Sequence, residues 1–258
     1  MGYRILTSTP SADSAMKLRN AIELKLGMNP KTILVSKESK NCAGHEVLLR
    51  YGCGYGELSP EPEWGNPGFI QTCINKLKFS ELFSGIVRVP TFSSDTFPKE
   101  FPVLIRETLT GKESAGIHLI HSEEEFLNTW QRGFYWTKFF KAEFELRVQL
   151  VLLEDRFEAK VYKKEPREAA AGDFIVAGDN TVWKLKDISH YPKVTEIIQK
   201  MGKTIYQMGG RFIGIDMLWV PDIKEYVVLE FNSGPWLTKP SAEWLAGIFV
   251  ETQWSKFK

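Results

Sequence analysis

Short apolar runs and stretches of helical period alternate along this chain. Tyr3–Thr9 reads as a strand. The following S-A-D-S-A-M-K-L-R-N-A-I-E-L-K-L-G reads as a helix, with polar caps in front and Gly27 just past its end. Thr32–Ser36 and Glu46–Arg50 predict two further strands, so residues 1–65 form a small α/β unit. The Pro- and Gly-rich segment L-S-P-E-P-E-W-G-N-P-G marks a linker. Beyond it, Phe69–Ser84 predicts one helix, Ile86–Pro90 leads out of it, and Phe101–Arg106 and Ile117–Ile120 predict strands around a polar loop, Thr108–Gly116. Ser122 with Glu125 three positions on is a capping box. Phe134–Phe140 is strand-like, and Glu143–Leu153 with Arg156–Lys163 predicts a hairpin turned at Glu154-Asp155. A loop rich in Ala, Gly and charge, a helix over Val194–Met208 and a last hairpin over Ile215–Asn232 complete an α+β pattern without internal repeats.

That last hairpin carries the most chemistry. Its first strand holds one carboxylate, Asp216, and its second ends in Glu230 and Asn232. Positions two apart in a strand share a face, so Glu230 and Asn232 point together and the hairpin can bring Asp216 beside them. Three oxygen donors on a rigid scaffold suit Mg²⁺, which commonly bridges carboxylates to nucleotide phosphates.

Composition narrows the classes. With 258 residues, 43% hydrophobic and 25% charged, the chain has the make-up of a soluble globular protein. A net charge of +1 gives no support to a broad nucleic-acid surface. No apolar run approaches the length of a membrane span, and the three cysteines (Cys42, Cys53 and Cys73) lack a C-x-x-C pair, which fits reduced thiols and a cytoplasmic location. His118 and His121 would face opposite sides of a strand, which argues against a shared metal.

Other signals are weaker one by one. Arg106 ends a strand just before a Gly-bearing loop that could cover phosphates, although an ordinary hairpin with a solvated arginine has the same pattern. No G-x-x-x-x-G-K-[ST] occurs. Lys76 and Lys78 lie near a helix start, where solvated lysines are common. Glu145, Arg147 and Gln149 form a polar row on one strand face, which could line a groove or simply be the wet side of a sheet. Lys160, Lys163 and Lys164 fall on the next strand, where edge lysines are usual.

The order of these features resembles the ATP-grasp superfamily, in particular the ribosomal-protein glutamate ligase and D-alanine–D-alanine ligase group. The resemblance spans about residues 66–240. It implies an ATP-grasp domain over 66–258, with a small lid subdomain at about 90–140, preceded by a pre-ATP-grasp α/β domain over 1–65. N-K-L-K-F-S-E-L-F is similar to the family's helix with a phosphate-binding lysine, which implies that role for Lys76. F-P-V-L-I-R is similar to the strand ending in a second such lysine, here Arg106, which keeps the charge but not the geometry. W-T-K-F-F resembles the adenine hinge at Lys138, Phe139 and Phe140, with Thr137 where a glutamate is common. Glu145 matches the acidic residue near the ribose, Lys163 resembles a further cationic contact, and A-G-D-F-I-V-A-G resembles a loop near the acceptor. L-E-F-N-S-G-P-W-L resembles the metal-binding end, implying Asp216, Glu230 and Asn232 as ligands of two Mg²⁺ ions.

The implied activity is ATP-dependent carboxylate–amine ligation through an acyl phosphate, with an amino acid or peptide as acceptor. Arg147 and Arg106 would be its catalytic cations, and the loop Thr108–Gly116 its lid. A kinase of the same fold and a nucleotide-binding protein without turnover remain alternatives. Arg50, Tyr51, Tyr55, Trp64 and Trp236 would line the acceptor groove or pack the domains together.

Overall fold

The computed structural model describes residues 2–37, 45–52, 64–109, 116–166 and 181–254. The linker segment before Trp64, most of the loop after Leu109, the acceptor loop at 171–178, Cys42, Cys53 and Tyr55 lie outside those residues.

The first unit consists of β1 (Gly2–Thr7), α1 (Ala12–Leu26), β2 (Ile33–Lys37) and β3 (His45–Tyr51). Its three strands are parallel in the order β2-β1-β3. Gly27 ends α1 at φ 64°, a left-handed cap that glycine adopts without a Cβ penalty. Glu23 is buried on α1, and its carboxylate accepts from the N–H groups of Lys31 and Ile33 at 3.1 and 2.7 Å, tying the helix to β2. The core of this unit is not self-contained. Ile5, Leu18, Ile22 and Leu48 pack with Leu245, Ala246 and Phe249 of the last helix, α6 (Lys239–Thr252), which returns from the far end of the chain.

The predicted helix over Phe69–Ser84 is two helices, α2 (Pro67–Ile74) and α3 (Lys76–Phe83). Asn75 breaks it: its backbone is extended at φ −101°, ψ 107°, and its side chain accepts from the N–H groups of Leu77 and Lys78. Asparagine competes with helical backbone bonding in this way, and so favours a cap over a helix interior. Lys76 thereby becomes the first residue of a new helix.

A four-stranded sheet, ordered β4-β7-β5-β6, spans residues 92–138: β4 (Phe92–Ser93), β5 (Val103–Arg106), β6 (Ile117–Ile120) and β7 (Tyr135–Lys138). Helix α4 (Glu123–Thr129) covers it, Phe126 packing with Val103, Ile105 and Ile120. Ser122 caps α4 through the Glu125 N–H, while Glu125 reaches one residue further back than a capping box requires, to the N–H of His121.

The larger sheet has five antiparallel strands, ordered β10-β9-β8-β11-β12. They are β8 (Phe144–Leu152), β9 (Phe157–Pro166), β10 (Thr181–Lys186), β11 (Phe212–Val220) and β12 (Glu225–Asn232). One face is apolar: Leu146, Val148, Leu150, Val161, Ile213 and Ile215 pack with Val194, Ile198, Met201 and Ile205 of α5 (Pro192–Gln207). Phe231 of β12 joins the same core, meeting the rings of Phe79 and Phe83 from α3 at 4.7 and 4.9 Å. The opposite face carries the polar row. Strands β4 and β10 and helix α6 are additions to the elements predicted from sequence. Among the described residues, no helix is long and apolar enough to cross a membrane.

Candidate nucleotide and metal site

Strand register assembles the polar face. Between β11 and β12, Asp216 pairs with Glu230 and Gly214 with Asn232. Between β11 and β8, Asp216 pairs with Arg147 and Gly214 with Gln149. Side chains of a pleated sheet alternate faces, so Glu145, Arg147, Gln149, Asp216, Glu230 and Asn232 gather on one side, away from α5.

Each carboxylate of this cluster already holds a cation. Arg147 grips Asp216 through both arms of its fork, Nε to Oδ1 at 2.6 Å and Nη2 to Oδ2 at 2.7 Å. The Asp216 side chain is only 5% exposed and that of Arg147 21%. Three carboxylates (Asp216, Glu145 and Glu230) raise the Arg147 pKa above the ordinary arginine value, against the opposing effect of burial. The Trp183 ring of β10 lies 4.8 Å from the guanidinium. Lys76 places its Nζ 2.6 Å from Glu230 Oε2. This ammonium is nearly buried, whereas a third of the Glu230 side chain meets solvent. Asn232 Oδ1 accepts from the N–H of Gly234 at 3.1 Å, which fixes the amide.

Arg106 reaches the cluster from the smaller sheet. Burial lowers its pKa from the usual arginine value, and the negative charge of Glu230 acts in the other direction. Its Nε is buried and has no hydrogen-bond partner among the described residues. A buried guanidinium donor left open beside a carboxylate cluster is what an anionic group could satisfy. The smaller sheet is further tied to α3 by the Lys76 N–H, which donates to the Leu109 carbonyl at 3.4 Å.

Two residues sit differently from their expected roles. Lys163 points to the opposite face, pairing across from Leu146 with its Nζ 4.3 Å from the Phe144 ring centroid. Its neighbour Lys164 is the one on the polar face, opposite Glu145 and 3.3 Å from its carboxylate. Burial, followed by the nearby Asp216, raises the Glu145 pKa above the usual carboxylate value; Lys164 and Arg147 oppose that rise. The tight turn at Glu154-Asp155 places Leu153 against Arg156, and counting outward from there sets Glu145 opposite Lys164, so the sequence held this signal. At the hinge, Lys138 is turned to solvent and paired with Glu100 at 2.9 Å. The Phe139 N–H donates to the Pro102 carbonyl, so the ladder runs one residue past β7, and Phe140 begins the connection to the larger sheet. Thr137 is buried, with no partner for its hydroxyl among the described residues.

The oxygen donors of Asp216, Glu230 and Asn232 are of the type a hard divalent ion takes. No three His, Cys, Asp or Glu side chains among the described residues could hold a metal by themselves, so the donor set depends on the Asn232 amide oxygen. Every carboxylate oxygen has two lone pairs, and the contacts above leave some of them open on Glu230.

Beyond this face, Gln149 Nε2 donates to the Trp236 carbonyl at 2.9 Å, and the Tyr51 hydroxyl donates to the Pro235 carbonyl. The N–H of Leu237 donates to Ser14 Oγ at 3.0 Å. The segment after Asn232 is thus held between the first unit and the larger sheet. The Trp236 side chain remains 53% exposed there, while Arg50, Tyr51 and Trp64 are buried.

No family model and no curated protein sequence matches the chain. Solved structures do. The D-Ala:D-Ser ligase VanG from Enterococcus faecalis is 14% identical, with a TM-score of 0.63 over 96% of this chain and 99% of that one. D-alanine–D-alanine ligase from Bacillus anthracis is also 14% identical, with a TM-score of 0.63 over 99% and 98%. The macrocyclase MdnC from Microcystis aeruginosa, solved with its precursor peptide MdnA, is 12% identical, with a TM-score of 0.62 over 98% and 100%. At such identities the likeness shows the fold alone, and along nearly its whole length the chain follows the ATP-grasp fold.

Proposed function

We propose that the chain is an ATP-dependent ligase that joins a carboxylate to an amine, with an amino acid or a peptide as acceptor. The observation that carries this reading is the convergence of Lys76, Arg106 and Arg147 with Asp216, Glu230 and Asn232 on one sheet face. It occurs in a fold whose solved neighbours are named as ligases.

In this reading Lys76 moves its ammonium from Glu230 to the nucleotide phosphates, and Arg106, held at a strand end with its Nε open, joins it there. Mg²⁺ would be held on this face, with Glu230 and Asn232 as accessible donors and Asp216 behind them, and would neutralise phosphate charge when bound. Glu145 would accept from a ribose hydroxyl, and Phe140, where the connection to the larger sheet begins, would receive the adenine. Lys164 takes the place expected of Lys163.

The substrate carboxylate oxygen attacks the γ-phosphorus in line; the bond to the β,γ-bridging oxygen breaks and ADP leaves with that electron pair. The resulting acyl phosphate is attacked at its carbonyl carbon by the amine. The C–O bond to phosphate then breaks, phosphate departs, and the nitrogen gives up a proton to leave an amide. Arg147 would orient the acyl phosphate; the loop Thr108–Gly116, expected to shield it from water, lies mostly outside the described residues.

The nucleotide half is tested by thermal denaturation with ATP and Mg²⁺. A ligand at about 100 times its Kd stabilises the folded state by about 2.7 kcal/mol, a shift readily seen in the melting temperature. The expected result is a shift of several degrees at millimolar ATP, largely lost in Lys76→Met. An unchanged melting temperature in the wild type would remove the proposal.

A further inference from the structure

The two carboxylates of the metal face are held in unlike ways. Asp216 gives both oxygens to one guanidinium, is almost wholly buried, and lies directly across the ladder from its partner. The guanidinium is fixed from behind by the Trp183 ring. Glu230 is held at one oxygen by a single ammonium, and a third of its side chain is open to solvent. A lysine head is a point charge on a flexible stem and can move from carboxylate to phosphate, whereas a stacked bidentate arginine gives up two bonds together if it moves. A divalent ion on Asp216 would also stand next to a full positive charge in a poorly solvated site, where repulsion is screened weakly.

We propose that this chain takes up one divalent ion with its nucleotide, on Glu230 and Asn232, and that Arg147, clamped on Asp216, supplies the positive charge a second ion would bring. Asp216 is then a positioning residue for Arg147. It is not a metal ligand. The proposal rests on the nucleotide reading above and replaces the two ions that the family resemblance implies with one.

The test counts ions without turnover. The full chain is titrated with Mn²⁺ at saturating β,γ-imido ATP, free Mn²⁺ is followed by electron paramagnetic resonance, and nucleotide binding is measured separately by calorimetry. The expected result is one Mn²⁺ per bound nucleotide. In Asp216→Asn, which keeps one acceptor oxygen for Arg147, Mn²⁺ affinity should stay within about threefold, while Glu230→Gln should lose it tenfold or more. Folding of each variant is checked by its melting transition. Two ions per nucleotide in the wild type, or a tenfold loss in a folded Asp216→Asn, would overturn the proposal. Calorimetry showing no nucleotide bound would instead strike the reading beneath it, and the proposal with it.

Discussion

Replacing Arg147 with methionine is expected to destabilise the protein by about 3–5 kcal/mol, the range for breaking a buried ion pair from one side. The reason lies in what remains. Asp216 is 5% exposed, and both its oxygens depend on the lost guanidinium. An uncompensated carboxylate on the central strands of the larger sheet must either take a proton or draw in water. For a chain of this size the change corresponds to a fall in melting temperature of roughly 6–20 °C. Arg147→Lys, which keeps the charge but loses the fork, should fall in between. Adding Asp216→Asn to Arg147→Met should recover part of the loss, because the orphaned charge is removed along with its partner. Chemical denaturation of the two single variants and the double variant gives this coupling directly. Strictly additive losses would mean that the pair is not a unit.

The second large effect is expected at Phe231, which lies in sequence between Glu230 and Asn232 but faces the other side of the sheet. Its ring meets those of Phe79 and Phe83 closely and that of Phe69 at 6.3 Å, so it joins β12 to α2 and α3. Phe231→Ala should cost about 3–5 kcal/mol through lost burial and the cavity left behind. It should also weaken nucleotide binding, because α3 carries Lys76 and is seated on this ring. Phe231→Leu fills most of the space and should lose less on both counts. Denaturant unfolding checks the first effect, and nucleotide titration at a temperature where both variants are folded checks the second. A binding loss equal in the Ala and Leu variants would break the proposed link between core and site.

Where the sequence was legible, the cause was local. Gly27 could be read as a helix end because only the left-handed cap calls for it, and Ser122 as a start because its hydroxyl serves an N–H three residues on. The pairing of Asp216 with Glu230 needs more than the turn: counting from Val220 opposite Glu225 would set Asp216 against Leu229, and a bulge between Asp216 and Met217 shifts it to Glu230. The break at Asn75 was equally local but hidden, since an apolar pattern continues across it and only the capping role of asparagine reveals it. Helix α6 carries only three charged residues, Lys239, Glu243 and Glu251, and the partly exposed Trp244, Gly247 and Val250 interrupt its polar side, so its helical period is weak. The choice of Lys163 over Lys164 followed order along the chain where parity would have decided otherwise. The Arg147–Asp216 clamp was beyond reach: it depends on the register of two strands separated by β9, β10 and α5.

The ligase reading stands or falls on what the ATP is used for. The decisive measurement is ADP release by the wild-type chain across a panel of amino acids and short peptides, with products identified by mass spectrometry. ADP should form when a carboxylate and an amine are both supplied, one new amide should accumulate per ADP, and Glu230→Gln should abolish both. ADP formed with a hydroxyl acceptor alone, accompanied by a phosphorylated product and no amide, would contradict the account.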